Sequence, residues 1–197
     1  MKIKKAAMFG LDARIALAIF GALSVISGAA LYSAIENAKV TSIYTTLNEV
    51  IKAYESLYID TGVLPKKSYD VFNPDALLED KGDSGWNGPY MSGSVVEDIP
   101  SHFSLEGIGL PSGYYPRARW MKDVSWDPAT ADWSTEMKCS SGDVCSLWIQ
   151  LIFTGLDATL AEAMDVRFDD GVASTGNIRY WSNRYIYIKG ISLGLNS

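Results

Sequence analysis

The sequence predicts an α+β protein in which a long N-terminal helix packs on an antiparallel β-sheet. Three observations carry this. Ile15–Ile35 is an uncharged run of 21 residues. It passes without a proline into a stripe, Ile43, Leu47, Val50, Ile51, Tyr54, Leu57, Tyr58, whose steps of three and four are the helical period. From Tyr115 onward come short aromatic and β-branched stretches separated by Gly, Asn, Asp and Pro.

The helix comes first. No proline occurs between Met1 and Val63, so one helix is expected from about Leu11 to Tyr58, roughly 70 Å at 1.5 Å per residue. Residues 11–35 form its apolar half, with about the length that crosses a bilayer's hydrocarbon core. Residues 36–60 form its amphipathic half. Lys2, Lys4 and Lys5 precede the apolar run and Glu36 follows it, which places the N-terminus in the cytoplasm and the rest outside. A cleaved signal peptide is the competing reading, since "SGAA" and "YSA" offer small-residue cleavage sites. Gly21 and Gly28, with Ala22, Ser24, Ser27, Ala29 and Ala30, give a small-residue surface that lets helices approach. Gly62 and Pro65 end the helix.

Residues 61–114 are expected to be a connecting loop region with a short helix at Asp75–Glu79, capped by Asn73 or Asp75 beside Pro74. "GDSG" at Gly82–Gly85 is a turn and not a protease nucleophile loop, because Trp86 follows and the one histidine, His102, lies after the serine. Glu79, Asp80 and Asp83 are rich in oxygen but lack the twelve-residue calcium-loop pattern.

Residues 115–197 are expected to be the sheet domain. Its strands lie in "ARWMKDVSW", "SLWIQLIFT", "IRYWS" and "RYIYIKGISL", with Leu147, Ile149, Leu151, Phe153, Ile178, Tyr180, Ile186 and Ile188 facing the helix. A short helix capped by Asp157 or Thr159 turns Ala158, Ala161 and Met164 inward. Between Asp165 and Arg179 an acidic turn follows, with Asp170 capping it and Arg179 pairing nearby. Cys139 and Cys145 close a small disulfide loop in an oxidising compartment, or remain two thiols in a reducing one.

The net charge of −6 disfavours a general nucleic-acid surface. A single histidine and a single close cysteine pair leave little for an envelope enzyme to work with. No catalytic residue is nominated.

The basic leader "MKIKKAAMFG", the two-part helix, the turn Gly62-x-x-Pro65 and the later Trp86-x-Gly88-Pro89-Tyr90 occur in that order. Together these motifs resemble the type IV pilins and type II secretion pseudopilins over residues 1–91. That resemblance implies removal of residues 1–10 as a leader by a prepilin peptidase, cleaving between Gly10 and Leu11 and methylating the new amine. It implies a chain held first in the inner membrane with its C-terminal domain in the periplasm. An assembly platform and its ATPase machinery would then build it into a homo-oligomeric helical filament, or place it beside minor subunits of one. Such filaments serve adhesion, motility, DNA uptake or secretion.

The family's usual Glu at the fifth mature position is Ile15 here, and Asp12 and Arg14 stand ahead of it. Asp12 could neutralise a neighbour's amine, and Arg14 could meet an acid on a neighbour. Tip-type minor subunits lack the Glu altogether, and both charges could simply lie at the headgroups. No cofactor is expected, and no structural metal; calcium, held by some pseudopilins in a later loop, is the one ion the resemblance admits. The competing function is a membrane-tethered extracytoplasmic binding module that does not polymerise.

Overall fold

The structure, a computed structural model, describes residues 4–68, 70–99, 102–153, 158–181 and 184–195. The chain divides after Thr41 into two compact units, and helix α1, Lys4–Thr61, supplies residues to both.

In the first unit α1 is the whole described structure. It begins at Lys4, inside the expected leader, because Lys4–Met8 contains nothing that stops a helix and two alanines that favour one. Leu17, Phe20 and Val25 are 74%, 71% and 74% exposed. This part of the helix is long and apolar enough to cross a membrane.

The second unit is an α+β domain: the C-terminal part of α1 packs on an antiparallel sheet. Gly62, at φ 73°, ends the helix by donating its N–H to the Tyr58 carbonyl at 2.8 Å. Strands β1 (Lys66–Ser68) and β2 (Val71–Phe72) and the four-residue helix α2 (Asp75–Leu78) follow. Pro74, and neither Asn73 nor Asp75, is the N-cap residue of α2; Asn73 just ahead of it accepts the Asp75 N–H at 3.2 Å. Then come β3 (Ser94–Ile99), β4 (His102–Glu106), β5 (Tyr114–Lys122), a one-turn π-helix (Trp133–Met137), β6 (Val144–Phe153), α3 (Ala158–Phe168), β7 (Ile178–Trp181) and β8 (Tyr185–Leu195).

Six strands form one sheet in the order β1-β2-β5-β6-β8-β7, every pairing antiparallel. β3 and β4 form a separate hairpin. The expected connecting loop region thus holds four strands. "SVVEDI" is short and carries two acids, which masks its strand character; β1 and β2 are shorter still, β2 held by pairing to β5 and β1 by pairing to β2.

One face of the sheet meets the helices. Ile43, Leu47, Val50, Ile51, Tyr54 and Leu57 of α1 are buried, as are Leu147, Ile149, Leu151, Ile178, Ile186 and Ile188. Gly190 lets the layers close: a Cβ there would stand 3.1 Å from both Ile51 Cγ2 and Leu147 Cδ2. Tyr44 stacks on Phe168 of α3 with ring centres 3.9 Å apart, and Ala161 and Met164 are buried as expected. Tyr180 is only half-buried, because it lies on the four-residue edge strand β7. Asp157 lies outside the described residues, as do the side chains of His102, Phe153 and Ala158.

The Trp-x-Gly-Pro-Tyr motif clamps α2 to the end of α1. Trp86 Nε1 donates to the Ala76 carbonyl at 2.8 Å. The Tyr90 hydroxyl donates to Asp60 Oδ2 at 2.9 Å and accepts the Asn87 N–H at 3.0 Å. The two rings meet edge to face.

The opposite face of the sheet is also covered, which the sequence reading did not anticipate. "ARWMKDVSW" does not continue as a strand to Trp126. β5 ends at Lys122, and the chain folds back across the outer face. Arg179 fixes the fold-back by donating from Nη1 to the carbonyls of Val124 (3.0 Å) and Trp126 (3.4 Å). Trp126 packs between Trp148 and Tyr187, with ring centres at 4.9 and 5.3 Å. Met121 and Met137 complete this second core.

Candidate functional site

The residues nominated at the helix start lie on an exposed helix surface. Gly10, Leu11, Asp12 and Arg14 are all exposed on α1. Neither Asp12 nor Arg14 has a partner among the described residues. A carboxylate and a guanidinium two residues apart point to different sides of a helix and do not pair with one another.

Cys139 and Cys145 are disulfide-bonded, with Cα atoms 6.1 Å apart. Both are buried. Their loop leads directly into β6, where Cys145 pairs with Lys122 of β5.

The acidic turn after α3 is a clasp for the backbone. Asp169 Oδ2 accepts N–H groups from Asn177 and, at 2.7 Å, from Ile178. Asp170 accepts the Val172 N–H at 2.9 Å and the Thr175 hydroxyl at 2.6 Å. Asp165, fully buried, accepts the Gly171 N–H through Oδ1 at 3.3 Å, while its Oδ2 has no partner. Burial, helped by the charges of Asp170 and Asp169, pushes the Asp165 carboxyl up to about 6. Oxygen atoms of the three acids lie within 4.8 Å of one another. Calcium takes about 6–8 oxygen ligands in protein sites; here four of the six carboxylate oxygens already accept N–H or O–H donors. Asp170 thus caps the turn as expected. Arg179 turns instead to backbone carbonyls and to the faces of Trp126 and Trp148.

The most elaborate arrangement lies on the outer face, in a cavity of about 490 Å³ between the sheet and the fold-back segment. β5 places Arg119 in its floor, and β6 places Gln150 beside it. Asp70, in the turn between β1 and β2, binds Arg119 through a single oxygen. Arg119 Nε donates to Asp70 Oδ2 at 2.7 Å and Nη2 donates to the same atom. Arg119 Nη1 donates to Gln150 Oε1 at 3.0 Å, and Gln150 Nε2 donates to the Tyr187 hydroxyl at 2.9 Å. Burial pushes the Tyr187 phenol up to about 12, so at neutral pH it keeps its proton. The π-helix carries Trp133 to the guanidinium, whose carbon is 3.5 Å from the ring centre. Trp181 of β7 and Tyr185 of β8 line the wall, 6.4 Å apart.

None of these cavity residues was nominated from sequence. The available signal was a second alternation: Arg117-x-Arg119, Trp148-x-Gln150 and Tyr185-x-Tyr187 occupy strand positions opposite the apolar ones. Long polar and aromatic side chains repeating on that face mark it as covered or occupied.

No family model, no curated protein and no solved structure matches this chain.

Proposed function

We propose that this chain is a structural subunit, pilin or pseudopilin, of a type IV pilus-like filament, assembled from the inner membrane through its N-terminal helix. One observation supports this most: α1 is a single unbroken helix whose early part is apolar and exposed and whose late part is packed on a sheet. An exposed apolar helix in water is costly, at about 25 cal/mol per Å² of apolar surface. Lipid first, and like helices afterwards, would remove that cost at both stages. The basic leader supports an orientation with the C-terminal domain in the periplasm. Prepilin peptidase would cut between Gly10 and Leu11, and the assembly platform with its ATPase machinery would extract the mature chain. No catalytic role is assigned, and nucleic acid is not the proposed partner.

Mass spectrometry of the mature protein tests this reading. The expected N-terminus is Leu11, N-methylated, in sheared filaments seen by electron microscopy. An intact Met1, or a start near Ile35, overturns it.

A second reading, a membrane-tethered binding module that stays in the bilayer, is favoured by the outer-face cavity. Filaments absent from cells that carry the protein with Met1 intact would select it.

A further inference from the structure

The geometry points to the outer-face cavity as a binding site for a neutral saccharide, a short chain of uncharged pyranose rings. Its size falls in the range of small-molecule sites, about 300–1,000 Å³.

Its chemistry narrows the ligand. Arg119 is the one guanidinium in the floor, and its charge is already met by Asp70 while its face is taken by Trp133. Lys138, the other cation in the lining, is likewise already engaged, so a phosphate or carboxylate would meet the Asp70 carboxylate and no unpaired cation. Gln150 and Tyr187 are both buried and hold each other in a fixed orientation. The amide oxygen accepts from Arg119 and the phenol oxygen accepts from the amide. The chain of bonds leaves the Tyr187 O–H directed by its neighbours and available as a donor. A purely apolar ligand would leave the Tyr187 O–H without an acceptor, which is costly.

The walls provide the other half. Trp133, Trp181 and Tyr185 are all half-buried, so each retains accessible ring surface. Aromatic faces receive the C–H face of a pyranose, whose hydroxyl groups stand around its rim. A ring with an apolar face and a hydroxyl edge thus matches an aromatic wall above a floor of fixed hydrogen-bonding groups whose charges are paired with each other. The segment that closes the cavity, residues 123–137, is anchored by Arg179 on one side, and Asp132 holds the π-helix by accepting the Thr135 N–H at 3.1 Å. The platform is built before any ligand arrives, which lowers the cost of binding.

The test uses the full chain in a zwitterionic, sugar-free detergent, so that no glycoside headgroup competes. It is applied to an array of neutral glycans, then titrated with maltotriose, cellotriose and N,N′-diacetylchitobiose while tryptophan fluorescence and heat are recorded. Saturable binding of a neutral glycan is expected, weakened about tenfold or more by Trp181→Ala and by Gln150→Leu. Trp181 is half-buried on an edge strand, so its replacement keeps the fold. Protection of wild-type tryptophans from oxidation by N-bromosuccinimide in the bound glycan gives a readout that needs no variant. The proposal is overturned by an array with no neutral glycan bound, by binding that both variants leave unchanged, or by binding confined to anionic glycans or to nucleosides.

Discussion

The Arg119 guanidinium carbon stands 3.5 Å from the centre of the Trp133 ring, while its nitrogens bind Asp70 and Gln150. A flat cation is thereby held at its edge by oxygen and on a face by an indole. Arg119→Met leaves the nearly buried Asp70 carboxylate unpaired and should cost about 3 kcal/mol. Arg119→Lys keeps the charge but loses the planar fork and should cost about 2 kcal/mol. The double variant Asp70→Asn/Arg119→Met should recover part of the loss. Denaturant unfolding followed by tryptophan fluorescence measures these three and the Asp70→Asn single variant; a double-variant loss equal to the sum of the Asp70→Asn and Arg119→Met losses would show that the pair is not coupled.

Asp165 gives the domain a pH signature. Its carboxyl titrates at about 6 when folded and at about 4 when unfolded. Between these values the folded chain holds a proton that the unfolded chain has released. Stability from this group therefore falls as pH rises from about 4 to 6 and stays lower above. Asp165→Asn keeps an oxygen for the Gly171 N–H and removes the charge. It should flatten that slope and raise the melting temperature at pH 8. Added calcium should leave the wild-type melting temperature unchanged at pH 8; a rise that Asp165→Asn abolishes would place a cation in the clasp.

Gly176 and Asp169 form a coupled pair. Gly176 has φ 70°, and a Cβ there would run into the Asp169 carboxylate that holds the start of β7. Gly176→Ala should cost about 2 kcal/mol, from strained backbone and lost N–H bonds together. The same change should cost less in an Asp169→Ala background. Thermal unfolding of the four chains in the cycle checks this, and equal costs in both backgrounds would remove the coupling.

The disulfide closes a short loop, its cysteines six positions apart in sequence. Cys139→Ser/Cys145→Ser should lower stability by about 2 kcal/mol. Alkylation of protein from cells, before and after reduction, should show that neither thiol is free beforehand.

At the helix start, Asp12→Ala should abolish assembly if Asp12 neutralises a neighbour's amine, and Asp12→Ala/Ile15→Glu should restore it. Normal filament yield from the single variant would exclude Asp12 from that task.

The sequence made some parts of this fold plain. The helix was legible because its periodicity extends through Leu57 and nothing interrupts it, and Gly62 ended it where a left-handed residue was needed. Leu147, Ile149, Leu151, Ile178, Ile186 and Ile188 alternated cleanly and are buried as read. The outer face was not legible. Trp126 lies next to the end of a strand in sequence, yet a distant residue, Arg179, decides that the chain leaves the sheet there. Asp70 and Arg119 are 49 positions apart, and no local pattern announces their meeting. The turn from Asp165 was recognised as structural from its Asp-Asp-Gly; the orphan oxygen inside it depends on burial that only the packed chain supplies.

The six-stranded sheet ends on one side in β1, three residues that include Lys66 and Lys67, and on the other in β7, four residues long. Short borders, one of them rich in lysine, give an incoming strand little to grip. Polymerisation by strand exchange or edge-to-edge growth is thus discouraged on both sides. A fibre built from this chain would owe its cohesion to apolar helices, and detergent, rather than agents that unzip β-structure, would be what takes it apart.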